Sequence, residues 1–209
     1  MLDHFLTQEP EGITLVLMRH AEAAGPEKSV LQPELARAEE TGRAIRMKYN
    51  RVATSLFPRT AQTALAVLAG SGSCARPIEA EPDLGSPELA AEITAPEGFR
   101  DLAGKVGFFA AVRAKHTPKD ARRFGVKILN ALWDVVWACE PGDKVLVVSH
   151  SPMIELALWA MHSFGDIPED YRRFETLEYV FVSAWKFGEN EVHFVPVQKG
   201  VAIINPPTT

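Results

Sequence analysis

Two short runs of branched apolar residues each end abruptly in a histidine. The first is Ile13 to Met18 (ITLVLM), followed by Arg19-His20-Ala21-Glu22; the second lies in Lys144 to His150 (KVLVVSH), followed by Ser151. A continuous apolar run of this length reads as a strand buried on both faces. Such strands need helices on both sides. The polar residues that follow stand at the carboxyl edge of the sheet, where open α/β sheets bind ligands.

The segments between and around these runs carry helical patterns. Pro33 to Met47 places Leu35, Ala38, Ile45 and Met47 among charged residues and reads as a helix started by Pro33. Arg51 to Pro58 reads as a second strand running into a loop. Arg59 to Leu68 reads as a helix with Ala61, Ala64, Leu65 and Leu68 on one side, stopped by Gly70. Gly70 to Pro77 is rich in turn formers, and a short strand is expected around Ile78. Glu81 to Gly98 carries several prolines and acids and reads as an irregular loop over the end of the sheet, with 82–98 as a candidate flap. Pro118 to Cys139 has Phe124, Ile128, Leu132, Val135 and Val136 at inward positions and reads as a long helix, broken by Pro141-Gly142-Asp143. Pro152 to His162 is the helix after the second histidine. Tyr179 to Trp185 and Glu191 to Val197 read as a closing hairpin around Gly188-Glu189-Asn190. The alternation predicts one α/β domain over residues 1–209, with a mostly parallel sheet covered on both faces.

Composition removes several function classes. The 209 residues carry a net charge of -5, which disfavours general binding of nucleic acid. No apolar stretch reaches the ~20 residues of a membrane helix, so no membrane partner is expected. The start, MLDHFLTQEPEG, lacks a basic region followed by an apolar run. Cys74 and Cys139 have no metal-ligand spacing and read as reduced thiols. The expected compartment is the cytoplasm.

Three strand ends offer a matched set of polar side chains: Arg19 and His20, then Ser55 and Arg59, then Ser149 and His150. If the strands are neighbours, two arginines and two histidines meet at one rim. Guanidinium forks match phosphate oxygens and stay charged near neutral pH. A neutral imidazole can attack phosphorus and split one phosphoryl transfer into two easier steps. A second, protonated imidazole adds a donor where charge builds. The set points to phosphoryl transfer with a histidine as nucleophile. A metal site on His20, Glu22 and His150 is disfavoured, because two arginines would repel the ion.

Three blocks, LVLMRHAEA (Leu15 to Ala23), VATSLFPRTAQTA (Val52 to Ala64) and VLVVSHSPMIELAL (Val145 to Leu158), resemble the histidine phosphatase superfamily, also called phosphoglycerate mutase-like. The resemblance implies a three-layer α/β/α sandwich with a mostly parallel central sheet. It implies that His20 takes the phosphoryl group and that Arg19, Arg59 and His150 bind it, with no metal or organic cofactor. The substrate would be a phosphomonoester or phosphohistidine, on a phosphorylated small molecule or a phosphohistidine protein. A mutase-type phosphotransferase and a catalytically idle phosphate-binding module are the alternatives.

The chain departs from that family's pattern at three places. Ala21 and Ser151 stand where relatives often have Gly after each histidine. Ser151 adds a hydroxyl that could bind phosphate or start a helix. Many relatives keep a general acid either in a Leu-x-Glu-like element or directly after the second histidine. This chain has Leu84-Gly85-Ser86 and Ser151 there. Glu88 is the nearest substitute as general acid, with Asp83 and Glu22 behind it. Trp133, Trp137 and Trp159 read as core, and Tyr171-Arg172-Arg173 as a small solvated basic patch.

Overall fold

A computed structural model describes residues 12–24, 29–78, 81–166, 174–187 and 191–200. Its elements run β1 (Ile13–Arg19), α1 (Gln32–Ile45), β2 (Arg51–Thr54), α2 (Pro58–Ser71), β3 (Arg76–Pro77), a 3-10 turn (Pro82–Leu84), α3 (Pro87–Thr94), α4 (Phe99–Val106), α5 (Phe108–Lys115), α6 (Pro118–Trp137), β4 (Lys144–Ser149), α7 (Met153–Met161), β5 (Tyr179–Phe187) and β6 (Glu191–Gly200). The six strands form one sheet in the order β3-β2-β4-β1-β5-β6. The first four are mutually parallel; β5 runs antiparallel to β1, and β6 antiparallel to β5. This is the mixed, mostly parallel α/β sheet that the sequence predicts.

The period of the strand explains why both faces are covered. Leu15 and Leu17 of β1, with Val145 and Val147 of β4, join a core with α6 and α7. Val16 and Met18, with Leu146 and Val148, point the other way into a second core with α1 and α2. Side chains alternate across a strand, so an all-apolar run must be packed from both sides. No helix among the described residues is long and apolar enough to cross a membrane.

Several boundaries differ from the sequence expectations, each for a physical reason. Gly70 does not stop α2. The helix runs to Ser71, and Gly72 at φ 61° closes it, its N–H bonding Ala69 O. Gly70 and Gly42 instead let α1 and α2 touch: an added Cβ would stand 1.7 Å from Glu39 O at Gly70 and 2.1 Å from Val67 O at Gly42. Helix α1 ends at Ile45, with Arg46 in the left-handed region, two residues before Met47. Trp159 is buried as expected, whereas Trp133 and Trp137 are half-buried and pack edge-to-face on each other at 5.5 Å. They flank the inward stripe of α6 rather than forming it.

The largest correction concerns 81–98, which is not an irregular loop. It holds the 3-10 turn and α3, whose N-terminus is capped by Ser86 Oγ accepting from Leu89 N at 3.2 Å. Two further helices, α4 and α5, follow; Gly98 and Gly107, both at positive φ, precede them. Each of the three helices has eight residues. Helices this short draw their stability from tertiary packing, so local pattern shows little of them. Leu89, Ile93, Phe99, Ala103, Phe109 and Val112 are their buried anchors.

Candidate active site

Strand register sets the two histidines side by side. Arg19 of β1 pairs with Ser149 of β4, and the next residues are His20 and His150. His20 N donates to Ser149 O at 3.0 Å, and the two imidazole centroids stand 4.9 Å apart. On the far side of β4, Ser55 N donates to Val148 O at 3.2 Å and extends the β2 ladder. Pro58 then opens α2 and places Arg59 in its first turn. A proline there costs no hydrogen bond and fixes the entry of the helix.

The hydrogen bonds determine both imidazole tautomers. His20 Nδ1 lies 2.6 Å from Ala21 O, and a carbonyl can only accept, so Nδ1 carries the proton. The lone pair is therefore on Nε2, where Arg59 Nε donates to it at 3.0 Å. Burial is the main cause that pushes the His20 pKa down to about 4; the neighbouring charges of Arg59 and Arg19 add to it, and the Ala21 bond opposes it. The ring is neutral at pH 7. His150 Nδ1 is 3.1 Å from Arg59 Nη2 and must accept, since a guanidinium only donates. Its Nε2–H then donates to Ser55 Oγ at 2.6 Å. Burial, then His20, Arg59 and Arg19, hold the His150 pKa well below the ordinary histidine value.

One guanidinium thus holds a lone pair of each ring. The Phe57 ring steadies it, 4.3 Å from the guanidinium carbon. Arg19 Nη1 donates to Phe174 O on the other side of the site. Gly85 closes in behind His150: it sits at φ 139°, and a Cβ there would stand 2.5 Å from His150 Cδ2. Ser149 Oγ donates to Leu84 O and Leu56 N to Gly85 O at 3.1 Å, fastening this turn to the strand ends.

These groups open into a cavity of about 330 Å³. Arg19, His20, Arg59, His150 and Ser151 form its floor; Ala90 and Thr94 of α3, Arg100 of α4 and Phe108 of α5 form its roof. The structure therefore brings together Arg19, His20, Arg59, His150 and Ser151. It does not bring in the carboxylates considered as acid. Glu88 is exposed, about half a helical turn from the Ala90–Thr94 face of α3. Asp83 pairs with Lys127 at 3.2 Å, and Glu22 is exposed. Ser86 spends its hydroxyl on the α3 cap. No carboxylate stands among the described residues that line the cavity.

The sequence reading missed the roof residues Arg100 and Phe108, which belong to no motif, and Phe57, which lies inside one. It also missed Glu155, hidden in the apolar helix MIELALWAM. Glu155 is fully buried, and burial raises its pKa to about 7, against opposing bonds from Ser151 and Phe174 N and the charge of Arg19. Tyr171-Arg172-Arg173 lies outside the described residues. Among the described residues no group of three or more His, Cys, Asp or Glu is placed to share a metal ion.

Comparison with protein-family models gives no match, and neither does comparison with curated protein sequences. Solved structures do match. A phosphoglycerate mutase of Bacillus anthracis superposes with a TM-score of 0.60 at 16% identity, over 90% of this chain and 92% of that one. A phosphoserine phosphatase of Entamoeba histolytica gives 0.58 at 18% identity, over 91% and 98%. A proposed phosphohistidine phosphatase, SixA of Agrobacterium tumefaciens, gives 0.50 at 17% identity, over 90% and 97%. The strand order, the layers and these superpositions agree: the chain has the fold of the phosphoglycerate mutase-like histidine phosphatases.

Proposed function

We propose that the chain is a histidine-type phosphatase that hydrolyses a phosphomonoester or a phosphohistidine through a phosphoryl group carried on His20. The observation that carries this reading is the His20 tautomer. Its Nδ1 proton is committed to Ala21 O, and its Nε2 lone pair faces Arg59 and His150.

In the first step the phosphate oxygens replace the lone pairs as partners of Arg59, and Arg19 adds a second guanidinium. Nε2 attacks phosphorus, the bond to the leaving group breaks, and the leaving atom gains a proton. The incoming phosphate dianion raises the His150 pKa, because an opposite charge favours the protonated ring. His150 then donates from Nδ1 to an oxygen on which charge builds. In the second step water attacks the phosphohistidine, releasing inorganic phosphate and restoring neutral His20. The neighbouring folds with mutase and phosphatase names support phosphoryl chemistry at this rim and leave the substrate open.

One feature favours substrates with a good leaving group: no described carboxylate lines the cavity. A phosphohistidine needs less help from an acid than an alkyl ester does, because imidazole leaves more readily. The test is turnover of p-nitrophenyl phosphate, a set of phosphorylated metabolites and a phosphohistidine peptide. Activity on at least one, lost in His20→Ala with the fold intact, supports the reading. Full activity in His20→Ala removes it.

A further inference from the structure

Beneath the cavity wall lies a buried acid that the mechanism above does not use. Glu155, in the first turn of α7, is wholly shielded from solvent. Its Oε1 accepts from Ser151 Oγ at 2.5 Å and from Phe174 N at 3.2 Å. Its Oε2 is buried and has no hydrogen-bond partner among the described residues. A carboxylate in that position is costly, because one of its charged oxygens is desolvated and unpaired. The charge that acts on it from β1 is Arg19, which favours the ionised form without outweighing burial. Ser151 stands between this acid and the cavity, directly after His150, and forms part of the wall.

We propose that Glu155 and Ser151 form a proton relay that supplies the leaving-group proton in place of a carboxylate on the cavity wall. This rests on the reading of the site as a phosphatase. The single Oγ–Oε1 contact serves both states of the relay. With Glu155 protonated, the carboxyl donates to Ser151 Oγ, which frees the serine O–H for the cavity. As the bond from His20 Nε2 to phosphorus forms and the ester bond breaks, the Ser151 proton passes to the leaving oxygen and the Glu155 proton passes to Ser151 Oγ. The carboxylate that remains is held by Phe174 N–H and by the reversed serine hydroxyl. When water attacks the phosphohistidine, one of its protons returns through Ser151 to Glu155, and hydroxide becomes part of the released phosphate. The proton count closes over one turnover.

A purely structural role for Glu155 is the rival explanation. The carboxyl also fixes the backbone of Phe174, whose carbonyl holds Arg19. Glu155→Gln separates the two, because the amide oxygen keeps both accepted bonds and cannot supply the proton. The probes are ethyl phosphate, whose leaving group needs a proton, and p-nitrophenyl phosphate, whose leaving group needs little help. Glu155→Gln is expected to lower the ethyl-to-p-nitrophenyl ratio of kcat by at least ~10²-fold, with KM for each ester within about threefold of wild type. Ser151→Ala should show the same fall, and Ser151→Thr should restore the ratio. A parallel loss on both esters, or an unchanged ratio, overturns the relay and leaves Glu155 a structural support. A wild-type protein that turns over p-nitrophenyl phosphate but not ethyl phosphate has no working acid and also overturns it. Turnover that survives in His20→Ala overturns the phosphatase reading and the relay with it, whereas wild-type inactivity on both esters overturns the relay alone.

Discussion

The floor and the roof of the cavity are built in different ways. The floor comes from β1, β4 and the start of α2. Its histidines each follow a strand residue paired with a neighbour, and Arg59 enters on a proline-started helix. Backbone ladders fix these positions from both sides, because β1 and β4 lie in the middle of the sheet. The roof comes from α3, α4 and α5, with Gly98 and Gly107 ahead of the last two. Its residues are held by a few apolar anchors rather than by strand pairing. Central strands open only at a free-energy cost near that of global unfolding, whereas short helices on the periphery open more cheaply. On the proposed function, the region that would place the reacting atoms is the one the sheet defines, and the region that would meet the rest of the substrate is the one that can vary without disturbing it.

Substitutions on the floor should therefore cost far more than substitutions on the roof. Arg59→Ala is expected to lower kcat/KM for p-nitrophenyl phosphate by roughly 10³-fold, since it removes the fork that meets both rings. The same variant should raise the His20 pKa read by NMR, because Arg59 is among the charges that depress it. Arg59→Lys should keep the charge and recover only part of the rate, because an ammonium cannot reproduce the fork.

Gly85→Ala sharpens the comparison, since it strikes the floor from behind without removing a functional group. At φ 139° and with its Cβ 2.5 Å from His150 Cδ2, alanine must move the ring or the turn. A loss of about 1–3 kcal/mol in urea unfolding is expected. A loss of about tenfold in kcat should accompany it.

The buried titrating groups give the floor a pH signature. The folded-state pKa of His20 lies at about 4, below the ordinary histidine value of 6.5, and that of His150 is lowered too. Their stabilising contribution is present above 6.5 and is lost as pH falls toward the folded values. The pKa of Glu155 moves from 4.5 to about 7, so its contribution is present below 4.5 and is lost as pH rises through about 7. Between 4.5 and 6.5 the two effects oppose each other. Glu155→Gln should therefore steepen the fall in Tm as pH drops through this window, and His20→Ala should flatten it.

The smallest effect belongs to the roof. Arg100→Ala should change kcat for p-nitrophenyl phosphate by less than about threefold, because Arg100 comes from α4 and not from the strand ends that carry the paired histidines. Its effect should fall on KM, and only for substrates with a second anionic group. A kcat loss as large as that of Arg59→Ala would erase the distinction between floor and roof.

The same contrast explains what was legible in the sequence. ITLVLM-RH and KVLVVS-H announce both a buried strand and its chemical end, because strand period and sheet edge are local facts. Arg59 is legible because it follows β2 closely and opens a helical pattern. The roof is not, because helices of eight residues with two or three buried anchors each carry too little periodicity to stand out. Gly70 misled in the opposite way: it looks like a stop, yet it is small because Glu39 O lies against it. Glu88 is well placed along the chain, but the turn of α3 carries it away from the cavity. In the sequence Glu155 is one polar residue in an apolar stretch, and only the packing of β1, α7 and the Phe174 backbone reveals what surrounds it.

The most direct test of the phosphoryl-transfer reading is to quench the protein rapidly during incubation with p-nitrophenyl phosphate and map the phosphoryl group by mass spectrometry at alkaline pH, where phosphohistidine survives. The expected result is a phosphoryl group on His20, absent in His20→Ala. A phosphoryl group on another residue, or undiminished turnover in His20→Ala, would contradict it.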